Sequence, residues 1–177
     1  IRRQRQMCIR DSSTSGHNLM TDEAVEAICT LLLPEVSLVT PNLHEAAVLL
    51  QQPIHTVDDM EHAAHLVYEK YHCACLVKGG HLTGNEMCDV LYDGHELHLF
   101  GARHIHSGNL HGTGCTLSSA IATFLAQGFP LYEAVELAKT YITKAIEAGK
   151  DLHIGQGNGP LCHFPYLVNP VNPLTEE

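Results

Sequence analysis

Five consecutive residues, His111-Gly112-Thr113-Gly114-Cys115, stand directly before a run of small and apolar residues with helical spacing. Glycines flanking a threonine at a helix start let successive backbone N–H groups converge on one anion, so the segment predicts an oxyanion or phosphate cradle formed by Gly112, Thr113 and Gly114. An ordinary glycine turn into a helix is the alternative, because the pattern GxxxxGK[ST] is absent. Asn42 and Glu45 form an NxxE pair after a β-branched run. They bring one carbonyl and one carboxylate, hard donors that suit a cation retaining its waters, against the plainer reading of a helix N-cap with a solvated glutamate. Lys78, in Leu76-Val77-Lys78-Gly79-Gly80-His81, closes a strand at its carboxyl end. Open α/β sheets take their ligands there, and a lysine can act as a point charge on phosphate; an exposed strand terminus is the competing reading. Two further patterns carry less. Gly155-Gln156-Gly157-Asn158-Gly159 follows no strand and opens no helix, so it is a poor dinucleotide fingerprint. Cys73-Ala74-Cys75 beside His72 lacks a second cysteine pair and reads as a buried strand with both thiols on one face.

These residues need elements to hold them. Thr21 is an N-cap for a helix with Asp22 and Glu23 in its first turn and an apolar stripe of Ala24, Ile28, Leu31 and Leu32, stopped by Pro34. Val36 to Thr40 reads as a short buried strand, and Pro41 then opens a helix through Leu43 to Leu50. Thr56 and Asp59 form a capping-box pair before Met60, Ala63, Ala64 and Val67, and this third helix feeds a strand from Cys73 to Lys78. Met87 to Tyr92 and Glu96 to Phe100, around Asp93-Gly94, spell a hairpin. A loop from Arg103 to Leu110 leads to a helix from Thr116 to Ala126, ended by Gly128, and Leu131 to Ile146 gives an amphipathic helix closed by Gly149. The tail from Asp151 reads as irregular. Alternating units of this kind predict a three-layer α/β fold with a mainly parallel sheet.

The chain has 177 residues, 45% of them hydrophobic, and a net charge of −10. That is the size and composition of one globular domain, and disorder is excluded. Arg2, Arg3, Arg5 and Arg10 crowd the first ten positions, leaving six basic against nineteen acidic residues from position 13 onward, a net of −13. So acidic a body repels phosphodiester backbones and anionic lipid, so neither nucleic acid nor membrane is expected as a partner. The string IRRQRQMCIRDS at 1–12 resembles translated adapter sequence and is expected to be a non-native leader; a basic nucleic-acid arm is the alternative. With no apolar run of membrane length, no secretory pattern, and seven irregularly spaced cysteines that read as reduced thiols, a cytoplasmic protein is expected.

Taken together, Thr40-Pro41-Asn42 with Glu45, Val77 to His81, and HGTGCTLSSAIA at 111–122 resemble, in order and spacing, the ribokinase-like vitamin kinases. The nearest likeness is to the hydroxymethylpyrimidine/phosphomethylpyrimidine kinases of thiamine biosynthesis. It runs from about Ser13 to about Phe164, with Ser15-Gly16-His17 and Gly157-Asn158-Gly159-Pro160 included, and leaves 165–177 as a tail. The resemblance implies transfer of the ATP γ-phosphoryl group to a pyrimidine alcohol or its phosphate, with Mg²⁺ between the phosphates. It implies that Gly112, Thr113 and Gly114 form the anion hole, that Lys78, Thr113 and Gly114 contact the nucleotide, and that Asn42 and Glu45 organise Mg²⁺ and its waters. Cys115 falls where the sugar kinases carry an aspartate base, and cysteine there points to the pyrimidine kinases. A pyridoxal kinase of the branch that shares this cysteine stays open, a homodimer is compatible with the family, and packing at a tight turn is the plainer role for Cys115. The likeness also implies that the amino-terminal part of the family fold, with much of the acceptor pocket, is missing, so the isolated chain is expected to be inactive or weak and poorly stable. From another class, a non-catalytic nucleotide- or vitamin-binding protein, or a subunit completing its sheet on a partner, also fits.

Overall fold

The computed structural model of the chain describes residues 21–80, 86–154 and 156–168. The 1–12 segment, Ser15-Gly16-His17, His81, Gly155 and the tail beyond 168 lie outside the described residues. Among the described residues no helix is long and apolar enough to cross a membrane. The chain divides into two compact units, Ile1–His104 and Ile105–Glu177.

In the first unit α1 (Asp22–Ala27) begins at Thr21, whose hydroxyl accepts the Ala24 N–H at 3.4 Å. A π-helical turn (Ile28–Leu32) and a 3-10 turn (Leu33–Glu35) containing Pro34 carry the chain on. The wider turn shifts the helical phase. Ile28, Cys29 and Leu32 therefore face the core, and Leu31, expected in the apolar stripe, is 74% exposed. β1 is only Leu38–Val39, shorter than the predicted run, because the chain turns at Pro41 into α2 (Leu43–Leu50). α3 (Val57–Tyr71) carries the predicted capping box: the Thr56 hydroxyl accepts the Asp59 N–H, and the Asp59 carboxylate accepts the Thr56 N–H, both at 3.0 Å. His72, at φ +57°, ends α3 and lets the chain double back into β2 (Ala74–Lys78).

β3 (Glu86–Tyr92) and β4 (Leu97–Arg103) form the expected hairpin. The sheet order is β1-β2-β3-β4; β1 and β2 are parallel and the other two pairings antiparallel. The described sheet is thus mixed rather than mainly parallel: the four residues between Tyr92 and Leu97 are too few for the crossover that a parallel pair needs, so β3 and β4 must run antiparallel. Helices α2 and α3 cover one face. Val39, Cys75, Val77 and Val90 meet Ala46, Leu49, Met60, Ala64 and Val67 in that core, and Cys73 shares it with Cys75 as strand alternation requires. All six described cysteines are free thiols.

The second unit is helical. α4 (Thr113–Ala126) begins three residues before the predicted Thr116 and is followed by Gly128 at φ +94°. α5 (Leu131–Gly149) packs on α4 and buries Ala134, Val135, Ala138, Ile142, Ala145 and Ile146 at 3.6-residue spacing. The tail is not wholly irregular, because Pro165–Val168 makes one more helical turn, α6, against α5.

Candidate active site

Three of the predicted residues meet at the carboxyl ends of β1 and β2. The Lys78 N–H donates to Pro41 O at 2.8 Å, and Asn42 pairs with Lys78 in a parallel bridge that extends the β1–β2 ladder past Pro41. Asn42 is the N-cap of α2: its Oδ1 accepts the Glu45 N–H at 2.8 Å, and Glu45 Oε2 accepts the Asn42 N–H at 2.8 Å. The pair therefore forms a reciprocal capping box, and Glu45 is 5% exposed. An anionic carboxylate in the first turn also complements the positive end of the helix dipole. Lys78 is half-buried, and among the described residues its ammonium has no ion-pair partner. No group of three or more His, Cys, Asp and Glu side chains among the described residues is arranged to hold a metal ion.

Asp89, not singled out from sequence, sits opposite Lys78 in the β2–β3 register. It is 7% exposed, and its Oδ1 accepts the Gly79 N–H at 3.0 Å. Gly79 has to be glycine, since a Cβ there would stand 2.0 Å from Cys88 O. A lone acid inside an otherwise apolar strand, Cys88 to Leu91, was the available signal.

In the second unit the turn at 111–115 starts α4. Gly112 is the N-cap at φ +86°, a backbone conformation that favours glycine. The Thr113 N–H and hydroxyl both donate to Leu110 O, at 3.3 and 2.7 Å, and the Thr116 N–H donates to Gly112 O at 2.9 Å. Between them the N–H groups of Gly114 and Cys115 have no acceptor among the described residues, as the first turn of a helix leaves them. The Gly112 N–H likewise has no acceptor among the described residues, so of the predicted trio Gly112 and Gly114 are open and Thr113 is internally bonded, with Cys115 open beyond them.

Beside this turn lies an open cavity of about 440 Å³ lined by Cys115, Thr116, Ser119, Ala120, Thr123, Phe124, Tyr141 and His163. The Tyr141 hydroxyl donates to His163 O at 3.0 Å and fixes the far wall. Two unpaired amides, a helix dipole and a half-buried thiol at one end of an aromatic-lined cleft can bind an anionic group and exchange a proton with it.

Comparisons with known proteins agree on a kinase. Residues 11–162 match the family described as Phosphomethylpyrimidine kinase. The chain is 47% identical over 153 residues to a hydroxymethylpyrimidine/phosphomethylpyrimidine kinase of Rhizobium meliloti, covering 86% of this chain and 58% of that protein. It thus spans little more than half of that relative's length. Among solved structures it is similar to a pyridoxal kinase of Bacillus subtilis in an ADP complex, with TM-score 0.77 and 34% identity over 85% of this chain and 58% of that one. A phosphomethylpyrimidine kinase of Clostridium difficile gives TM-score 0.65 and 37% identity, over 76% and 53% of the two chains.

Proposed function

From the chain's membership of the phosphomethylpyrimidine kinase family, we propose that it is the phosphate-handling part of an enzyme that moves the γ-phosphoryl group of ATP onto hydroxymethylpyrimidine and its monophosphate. The observation that carries this reading is the pair of open amides, Gly114 and Cys115, at the amino end of a fourteen-residue helix beside a cleft of nucleotide size. Phosphoryl transfer demands little covalent work from a protein; it demands charge stabilisation and alignment. The Gly114 and Cys115 N–H groups would stabilise charge on the transferring phosphoryl oxygens, with Gly112 and Thr113 shaping the turn. Cys115 would serve as the general base toward a primary hydroxyl acceptor, whereas a phosphate acceptor is already ionised and needs only positioning. Lys78 would place its charge on the nucleotide phosphates.

Asn42 and Glu45 are the residues that would hold Mg²⁺. An amide oxygen and a carboxylate are donors of the hard type that this ion takes, and the reciprocal cap keeps both in place, so they fit an ion held through its waters. Bound there, Mg²⁺ would neutralise phosphate charge. Reduced thiols and a small-molecule substrate fit a cytoplasmic setting.

A pyridoxal kinase is the second reading, favoured by the TM-score of 0.77 with one. ADP release by the longest product of the gene decides between them: turnover with hydroxymethylpyrimidine phosphate but not pyridoxal supports the first, the reverse supports the second, and neither returns the chain to a nucleotide-binding role.

A further inference from the structure

Asn109 stands three residues before Gly112 and is 8% exposed. Its Nδ2 donates to Gly149 O and to Leu152 O, each at 2.6 Å, tying the loop to the carboxyl end of α5. Its own N–H donates to Ser107 Oγ at 3.0 Å. On its other side Gly159 packs so closely that a Cβ there would fall 2.0 Å from Asn109 Oδ1. Gly159 O in turn accepts the His111 N–H at 3.3 Å, and His111 pairs with Pro160 in a parallel bridge.

One buried carboxamide therefore touches three segments: the loop into α4, the end of α5 and the Gly159-Pro160 stretch. The bonds from Thr113 to Leu110 O and from Thr116 to Gly112 O close the turn locally, but Gly112 has no side chain and, at positive φ, gives the turn no anchor to the segments around it. What ties that turn to the rest of its unit is the set of contacts at Asn109 and His111. We propose that Asn109 is a positioning residue that holds the 110–115 turn, and with it the Gly114 and Cys115 amides, in place for an anionic ligand. The inference rests on reading that turn as a phosphate site. Gly157-Asn158-Gly159, unconvincing as a dinucleotide fingerprint, acquires a use: glycine at 159 is what lets the chain lie against the Asn109 amide.

The test uses the 177-residue chain with Asn109→Asp, Gly159→Ala and the double variant. Aspartate keeps the shape of Asn109 but sets an acceptor against two carbonyl oxygens. Hydrogen exchange of residues 110–116 is expected to speed up about tenfold in each single variant, and affinity for Mg²⁺-ADP to fall about tenfold, while exchange in the middle of α5 stays unchanged. The double variant is expected to be little worse than the worse single, since both act by displacing the one Asn109 side chain. Unchanged exchange at 110–116, or a lowered melting temperature with exchange and ADP affinity intact below it, overturns the proposal in favour of a merely structural amide. If Asn109→Asp does not fold, Asn109→Ser, which removes the donors without burying a charge, takes its place with the same expectations. A wild-type chain that fails to bind ADP counts against the kinase reading instead, and exchange at 110–116 alone then decides the role of Asn109.

Discussion

Cys115 combines a side chain and a backbone amide at the same place, and the two can be separated by mutation. Alanine keeps the amide and the helix start but removes the thiol. On the full-length enzyme Cys115→Ala is therefore expected to lower turnover of the hydroxyl acceptor about tenfold or more with nucleotide affinity nearly unchanged, measured by ADP release and by ADP titration. Unaltered turnover would leave Cys115 a packing residue. The other thiols behave differently. Burial pushes Cys73 up to about 11 and Cys75 well above the usual thiol range. In the unfolded chain both ionise near 9, so the folded state loses stability as pH rises from about 9 toward 11, and none is lost below that window. The urea midpoint is expected to fall over this range, and less steeply in Cys73→Ala. A flat profile would mean that solvent already reaches the thiol. At this scale the glycine turn into α4, the buried Cys73 and Cys75 and the Asn42–Glu45 helix cap were legible, because each rests on its own residue types and spacing. Asn109 and Asp89 were not: an amide or an acid acquires its meaning from partners such as Gly149 and Gly79, forty and ten positions away.

Among the elements, the hairpin shows how closely a turn is specified. Asp93 Oδ1 accepts the N–H groups of His95 and Glu96, each at 2.8 Å, and Oδ2 lies 3.4 Å from His98 Nε2. Partial burial opposes the charge of Asp93, but the backbone N–H groups of Glu96 and His95 and the His98 ring outweigh it and hold the carboxyl below its ordinary value. A carboxyl lowered on folding stabilises the native state above the unfolded value near 3.8, and that contribution is lost as pH falls through the lower folded value. Asp93→Ala is expected to cost about 1 kcal/mol at pH 6, and the difference from wild type to shrink as pH falls below the unfolded value near 3.8, measured by urea unfolding at successive pH values. Gly94 next to it has φ +101°, and a Cβ would reach 2.5 Å from the Tyr68 ring. Gly94→Ala combines strain with overlap and is expected to cost about 2 to 4 kcal/mol in the same measurement; a loss under about 0.5 kcal/mol would show that the hairpin and α3 can move apart. Turn and capping signals were legible here because they are local. The phase of α1 was not, since the π turn at Ile28–Leu32 serves the packing of Cys29 and Leu32, which periodicity alone cannot register.

For the whole chain, a net charge of −10 sets the terms on which phosphates can be held. The overall field repels them, so on the proposed reading attraction would come from local devices such as the Lys78 charge and the start of α4. Such devices bind a nucleotide without serving catalysis unless an acceptor is aligned as well, and alignment is the larger part of phosphoryl-transfer catalysis. The chain spans 58% of the length of its Rhizobium relative, and β1, at an edge of the described sheet, is two residues long. A sheet that ends on so short a strand offers little to build an acceptor pocket against. The 177-residue chain is accordingly expected to bind Mg²⁺-ADP yet to turn over hydroxymethylpyrimidine phosphate at less than about one-hundredth of the rate of a protein extended to the length of its relatives. ADP release from both, at equal concentration and matched nucleotide occupancy, measures this. Equal rates would place the acceptor site within these residues and make the shorter chain a complete catalyst.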